Sequence, residues 1–77
     1  MSSAPTLNGI VAGEIRAEMA RQRKTGVDLA HALHCSQQSA SRRLTGQTPL
    51  TLDELAAIAE WLSVPVSVFT ASRREVA

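Results

Sequence analysis

Thr25 and Ser36 stand eleven positions apart, and Gly46 lies ten beyond Ser36. Threonine and serine start helices because the side-chain oxygen accepts a hydrogen bond from an amide of the first turn. Glycine stops them because it enters the left-handed conformation without steric cost. Asp28, three residues after Thr25, adds a negative charge at the positive end of a helix. The interval therefore holds a helix of only about nine residues with Leu29, Ala30 and Leu33 facing inward, a turn at His34-Cys35, and another short helix over residues 36–45. Helices this short are not stable alone in water, so each must lie on a core built with its neighbours.

The flanking sequence supplies those neighbours. Leu7, Val11, Ile15 and Met19 recur every four residues with Ala12 and Ala20 beside them, which predicts an amphipathic helix from about Asn8 to Arg23. Gln47-Thr48-Pro49-Leu50 reads as a turn. Thr51 and Glu54 form a capping box, and Leu52, Leu55, Ile58, Ala59 and Leu62 give the following helix its buried stripe. Beyond it, Val64, Val66 and Val68 alternate as in a strand, while Pro65 suits the first position of a helix; a short fifth helix is expected. The fold class is all-α, a compact bundle of four to five short helices. At 77 residues the chain makes one domain over 7–71, with the helix-turn-helix at about 25–46, a flexible N-terminal tail at 1–6 and a C-terminal tail at 72–77.

Several functions are excluded by what the residues do not offer. A single cysteine forms no internal disulfide, no apolar run is long enough to cross a bilayer, and the N-terminus has no signal-type apolar segment. These features point to a reducing cytoplasm and no membrane partner. His31, His34 and Cys35 lie close together but lack a fourth ligand at zinc-finger spacing, so no metal is expected; Cys35 reads as a small buried hydrophobe. No nucleophile, base and orienting group occur as a set, and Asp53, Glu54 and Glu60 read as helix capping and surface charge. The chain is not expected to be an enzyme, and no cofactor or small-molecule ligand is implied.

Charge is placed unevenly. Residues 16–46 carry Arg16, Arg21, Arg23, Lys24, Arg42 and Arg43 against Glu18 and Asp28, whereas residues 47–77 carry Arg73 and Arg74 against Asp53, Glu54, Glu60 and Glu75. A basic half joined to an acidic half suits a polyanion-binding face with a solvated back. On the helix at 36–45, Gln38 and Arg42 share the ridge opposite Ala40, one turn apart, with Gln37 and Ser41 flanking it. Glutamine pairs with the N6 and N7 of adenine and arginine with the O6 and N7 of guanine, so this ridge carries the groups needed to read a major groove.

The stretch "TGVDLAHALHCSQQSASRRLTG" resembles the helix-turn-helix of the Cro and phage-repressor (XRE-like) family through Thr25, Leu29, Ala30, Leu33, Ser36, Ala40, Ser41 and Gly46. The later "LTLDELAAIAEWLSVPVSVF" resembles the fourth helix and following turn of the same family, so the likeness spans about residues 8–70. The chain also departs from that pattern. Gly26 replaces a phosphate-gripping glutamine, His34 replaces the glycine of the turn, and Arg43 replaces an apolar residue whose packing falls to Leu44.

The resemblance implies a lambda-repressor-like domain acting as a sequence-specific, double-stranded DNA-binding transcriptional regulator. It would be a phage or prokaryotic repressor working at the nucleoid of its host. Gln37, Gln38, Ser41 and Arg42 would contact bases, and Arg21, Arg23, Lys24, Thr25, Ser36, Ser39 and Arg43 would contact phosphates. Members of such a family bind pseudo-palindromic operators as homodimers, and Trp61, Val66, Val68 and Phe69 offer apolar surface for that pairing. The rival reading is a helical protein-interaction module, an antitoxin or assembly adaptor that keeps the helix-turn-helix shape without reading DNA.

Overall fold

The computed structural model describes residues 6–70. Four helices follow one another, α1 (Leu7–Arg21), α2 (Gly26–Leu33), α3 (Gln37–Thr45) and α4 (Leu52–Leu62). Residues 67–70 are also helical and are termed α5; no strand occurs among the described residues. The expected tails fall at 1–5 and 72–77, outside the described residues. Thr6, placed with the N-terminal tail by the sequence reading, instead caps α1, its Oγ1 accepting from the Gly9 amide at 3.0 Å.

All four leading helices begin in the same way. Thr6, Thr25, Ser36 and Thr51 hold extended backbone and accept with their side-chain oxygen from the amide three residues on. At Thr25 and Thr51 the box closes reciprocally, with Asp28 Oδ2 accepting from the Thr25 amide at 2.8 Å and Glu54 Oε1 from the Thr51 amide at 3.0 Å. Each cap satisfies amides that a helix start leaves without partners.

The helix ends are less expected. Arg23, His34 and Ser63 have φ of 59°, 56° and 59°, the left-handed region where a β-carbon is strained. After each, the next amide reaches back to a carbonyl: Lys24 to Met19 at 2.8 Å, Cys35 to Ala30 at 3.0 Å and Val64 to Ala59 at 3.0 Å. These are Schellman closures without glycine. The left-handed turn at His34 agrees with its place in the sequence pattern; those at Arg23 and Ser63 carried no glycine to announce them.

The core collects Val11, Ile15 and Met19 of α1, Leu29 and Ala30 of α2, Ala40 of α3, Ile58, Ala59 and Leu62 of α4, and Phe69 of α5. Leu33, Leu44, Leu50, Leu55 and Trp61 pack around it, partly buried. Leu7 and Leu52, expected in the apolar stripes, are 51% and 84% exposed. Each is the first residue of its helix, and a helical side chain leans toward the N-terminus, so at that position it points past the core. Ala20, also assigned to the inward side, is exposed on the charged face of α1.

The segment after α4 resolves the strand-or-helix ambiguity. Ser63 turns the chain, and beyond Pro65 the amides of Val68 and Phe69 bond to the carbonyls of Pro65 and Val66 at 3.0 and 2.9 Å. This tight turn carries Phe69 into the core at 0% exposure, while Val66 stays 40% exposed.

Candidate nucleic-acid interface

α3 lies on α2 and α1 with a small inward face: Ala40 is its one fully buried residue and Leu44 is partly buried. Its opposite face carries Gln37, Gln38, Ser41 and Arg42, all exposed. Among the described residues no intramolecular hydrogen bond engages these four side chains, so their donors and acceptors face solvent unspent. The Ser36 hydroxyl is bound to the Ser39 amide at 3.0 Å, and the first turn of α3 contains no acid. The amides of Gln37 and Gln38 belong to the turn where a helix has no internal partners and carries partial positive charge.

The basic residues proposed from the sequence divide into free and committed groups. Arg23 is exposed in its left-handed turn. Arg21 is paired with Glu18 at 2.7 Å, and Gln22 also donates to that carboxylate; the Arg21 bond, then the Gln22 bond, holds Glu18 below the usual carboxylate range. Lys24 Nζ stands 4.9 Å from the centroid of the Trp61 ring, a cation–π contact that joins the α1–α2 turn to α4.

Arg43 is not on the exposed ridge. Its Nε donates to Glu54 at 3.1 Å, and its Nη1 donates to the Ser39 carbonyl at 3.1 Å and the Ser39 hydroxyl at 2.5 Å. Arg43 and Ser39, both expected at phosphates, here bond to each other, and Arg43 also bonds to α4. The bond to Glu54 raises the Arg43 pKa, and the same bond lowers that of Glu54.

The start of α2 is also altered relative to expectation. Thr25 closes its box with Asp28, whose carboxyl is held low by the Thr25 amide first and its hydroxyl second. An ionised carboxylate thus occupies the helix start where backbone amides were expected to receive a phosphate, leaving Thr25 with no free hydrogen-bonding role toward an anion. His31, His34, Cys35, Ser36 and Gln37 line one shallow cleft with Val27 and Ala30 beside the start of α3. Among the described residues no three His, Cys, Asp or Glu side chains converge as a metal site would require.

Of the four residues offered for pairing of two copies, Phe69 is corrected: it is wholly inside the core of one chain. Trp61 and Val68 are half-buried and Val66 is exposed, so a reduced apolar surface remains. The sequence reading missed Asn8, Arg16 and Glu54, which bond to α3 or the turn after it. The first two of these bonds span 38 to 42 residues and 28 residues, with no periodic or capping pattern to reveal them.

Two short helices at a tight left-handed turn, the second presenting a polar face and packed on α1 and α2 behind it, define a helix-turn-helix domain. A model of the BetR domain matches residues 7–75, nearly the whole chain, and the protein belongs to that family. The helix-turn-helix expected from the sequence is therefore present, and the family that matches is that of the BetR domain, not that of Cro and the phage repressors. The fold is also similar to the crystal structure of the clp gene regulator ClgR from C. glutamicum. The TM-score is 0.82 at 23% identity, over 96% of this chain and 97% of that one. Comparison with curated protein sequences gives no match. No helix among the described residues is long and apolar enough to cross a membrane.

Proposed function

We propose that the chain is a DNA-binding transcription regulator that reads a double-stranded operator through α3. The observation that carries this reading is the set of four exposed, unengaged side chains, Gln37, Gln38, Ser41 and Arg42, on one face of a short helix. Gln38 and Arg42 lie along the ridge, where bidentate pairing with adenine and guanine is sterically natural, and Gln37 and Ser41 flank it. The Gln37 and Gln38 amides and the Arg23 guanidinium are suited to phosphate oxygens, with Arg21 and Lys24 adding diffuse positive charge. Membership of the BetR-domain family and the fold shared with a gene regulator support the same direction.

In its finer form the reading is a repressor that acts by occupying its operator. Two copies bind half-sites on one face of the duplex, paired through Trp61, Val66 and Val68. A helix of nine residues contacts only a few base pairs, so useful specificity calls for two. One observation favours the rival protein-interaction module: Asp28 sits at the start of α2, and Arg21 and Arg43 are paired with carboxylates, which reduces the positive charge open to a polyanion. Fluorescence anisotropy on random duplex across a salt series separates the two. A DNA-binding protein shows affinity falling steeply with salt, while an adaptor shows no binding at any salt concentration.

A further inference from the structure

α3 turns only two apolar side chains inward, the methyl group of Ala40, which is fully buried, and Leu44, which is partly buried against the core. An inward face of two apolar side chains, one of them a single methyl group, constrains tilt and rotation about the helix axis incompletely. Rotation matters, since neighbouring residues lie about 100° apart around a helix. Polar contacts from other elements supply the missing constraint. On one side Arg43 reaches Glu54 of α4. On the other, α1 holds the C-terminal end of α3 by its backbone. Asn8 Nδ2 donates to the Gly46 carbonyl at 3.3 Å, while Asn8 Oδ1 accepts from the Leu50 amide at 3.1 Å. About two turns further along α1, Arg16 Nη1 donates to the Leu44 carbonyl.

Leu44 and Gly46 belong to the end of α3, where carbonyls have no partners within the helix. Side chains of α1 take both. The backbones themselves come close here: Gly46 has φ of 87°, and a β-carbon on it would stand 3.7 Å from the Gly9 Cα. Asn8 uses both ends of its amide on the residues that bracket the α3–α4 turn, so it fixes where α3 ends as well as where the turn begins.

We propose that Asn8 and Arg16 are positioning residues that set the orientation of α3, and through it the discrimination between operator and random DNA. This rests on the DNA-binding reading above. Neither residue needs to touch DNA. Each keeps populated the one arrangement of α3 in which Gln38 and Arg42 meet base edges together, and apparent affinity for the correct sequence falls in proportion to that population. Binding to random duplex, dominated by phosphates, is insensitive to it.

The test begins with a duplex selected from a random pool by the unmutated protein. Its affinity and that of a random duplex are then measured for Asn8→Ala, Arg16→Ala and Arg16→Lys, well below each variant's melting temperature. Asn8→Ala is expected to weaken the selected duplex about tenfold, as loss of two hydrogen bonds allows, and the random duplex less than about twofold. Arg16→Ala is expected to shift the ratio in the same direction, and Arg16→Lys, which keeps a donor for the Leu44 carbonyl, to recover most of it. An unchanged ratio of the two affinities in Asn8→Ala and Arg16→Ala overturns the proposal, as does a parallel fall of both affinities. Failure of the unmutated protein to bind any duplex overturns the DNA-binding reading, and the proposal with it.

Discussion

The Arg43 guanidinium donates to the Glu54 carboxylate at 3.1 Å and joins α3 to the first turn of α4, with both side chains about four-fifths buried. Glu54 serves α4 at the same time by accepting from the Thr51 amide. Glu54→Gln can keep the capping bond through its one oxygen, but it removes the charge and the acceptor that Arg43 uses. It is expected to cost ~1–2 kcal/mol at neutral pH, the scale of a hydrogen bond to a charged group. The Glu54 pKa is depressed in the folded state, so its contribution is fully present above the ordinary glutamate value of 4.5 and is lost as pH falls below it. Urea midpoints of both proteins between pH 7 and pH 3 should converge at the acid end; a constant difference would show that the charge is not what matters.

His34, Arg23 and Ser63 are each strained by a β-carbon at positive φ. Replacement by glycine relieves that strain while loosening the unfolded chain, so each variant should match the parent or exceed it by up to ~1 kcal/mol. Chemical denaturation reads this directly. A sharp loss in His34→Gly would mean that its imidazole is held by contacts the turn depends on.

Arg23 and Arg43 should behave oppositely although both are arginines next to the proposed interface. Arg23→Ala is expected to weaken all duplexes alike and to flatten the salt dependence of binding by up to roughly one unit, with stability unchanged. Arg43→Ala should leave that slope alone and lower the denaturation midpoint, because its charge is spent on Glu54. Equal salt slopes for the parent and Arg23→Ala would remove Arg23 from the phosphate contacts.

Much of this arrangement was legible in the sequence where the cause is local. Thr25, Ser36 and Thr51 announce their helices because a hydroxyl cap acts within three residues, and His34 could be placed in a left-handed turn because it stands where the family that the sequence resembles has a glycine. The partner of Arg43 could not be read in advance. On a helical wheel Arg43 is a basic residue near the exposed ridge, and only the fold brings Glu54, eleven residues on, to meet it. Asn8 was invisible for the same reason. Phe69 looked available for pairing because Pro65 and the alternating valines hid a tight turn that drives it inward.

Val66 and Phe69 separate assembly from folding. Val66→Asp, at an exposed position, should abolish cooperative binding to a palindrome with half-sites about 10 bp apart while sparing the fold and single half-site binding. Phe69→Ala should instead cost about 3–5 kcal/mol of stability, the range for emptying a buried aromatic site. Protection of one half-site at saturation by the unmutated protein, seen by footprinting, would rule out the paired mode.

The most direct measurement concerns the ridge of α3. Duplexes are selected from a random pool by the unmutated protein, and the affinities of the parent, Gln38→Ala and Arg42→Ala are determined for the selected sequence, for its single base-pair variants and for random DNA. Arg42→Ala is expected to lose about 1–3 kcal/mol on the selected site and to become indifferent to one guanine; Gln38→Ala should do the same at a neighbouring adenine, with random DNA bound nearly as before. A pool that yields no enriched sequence, or variants that lose affinity equally for selected and random duplex, would contradict base reading by α3.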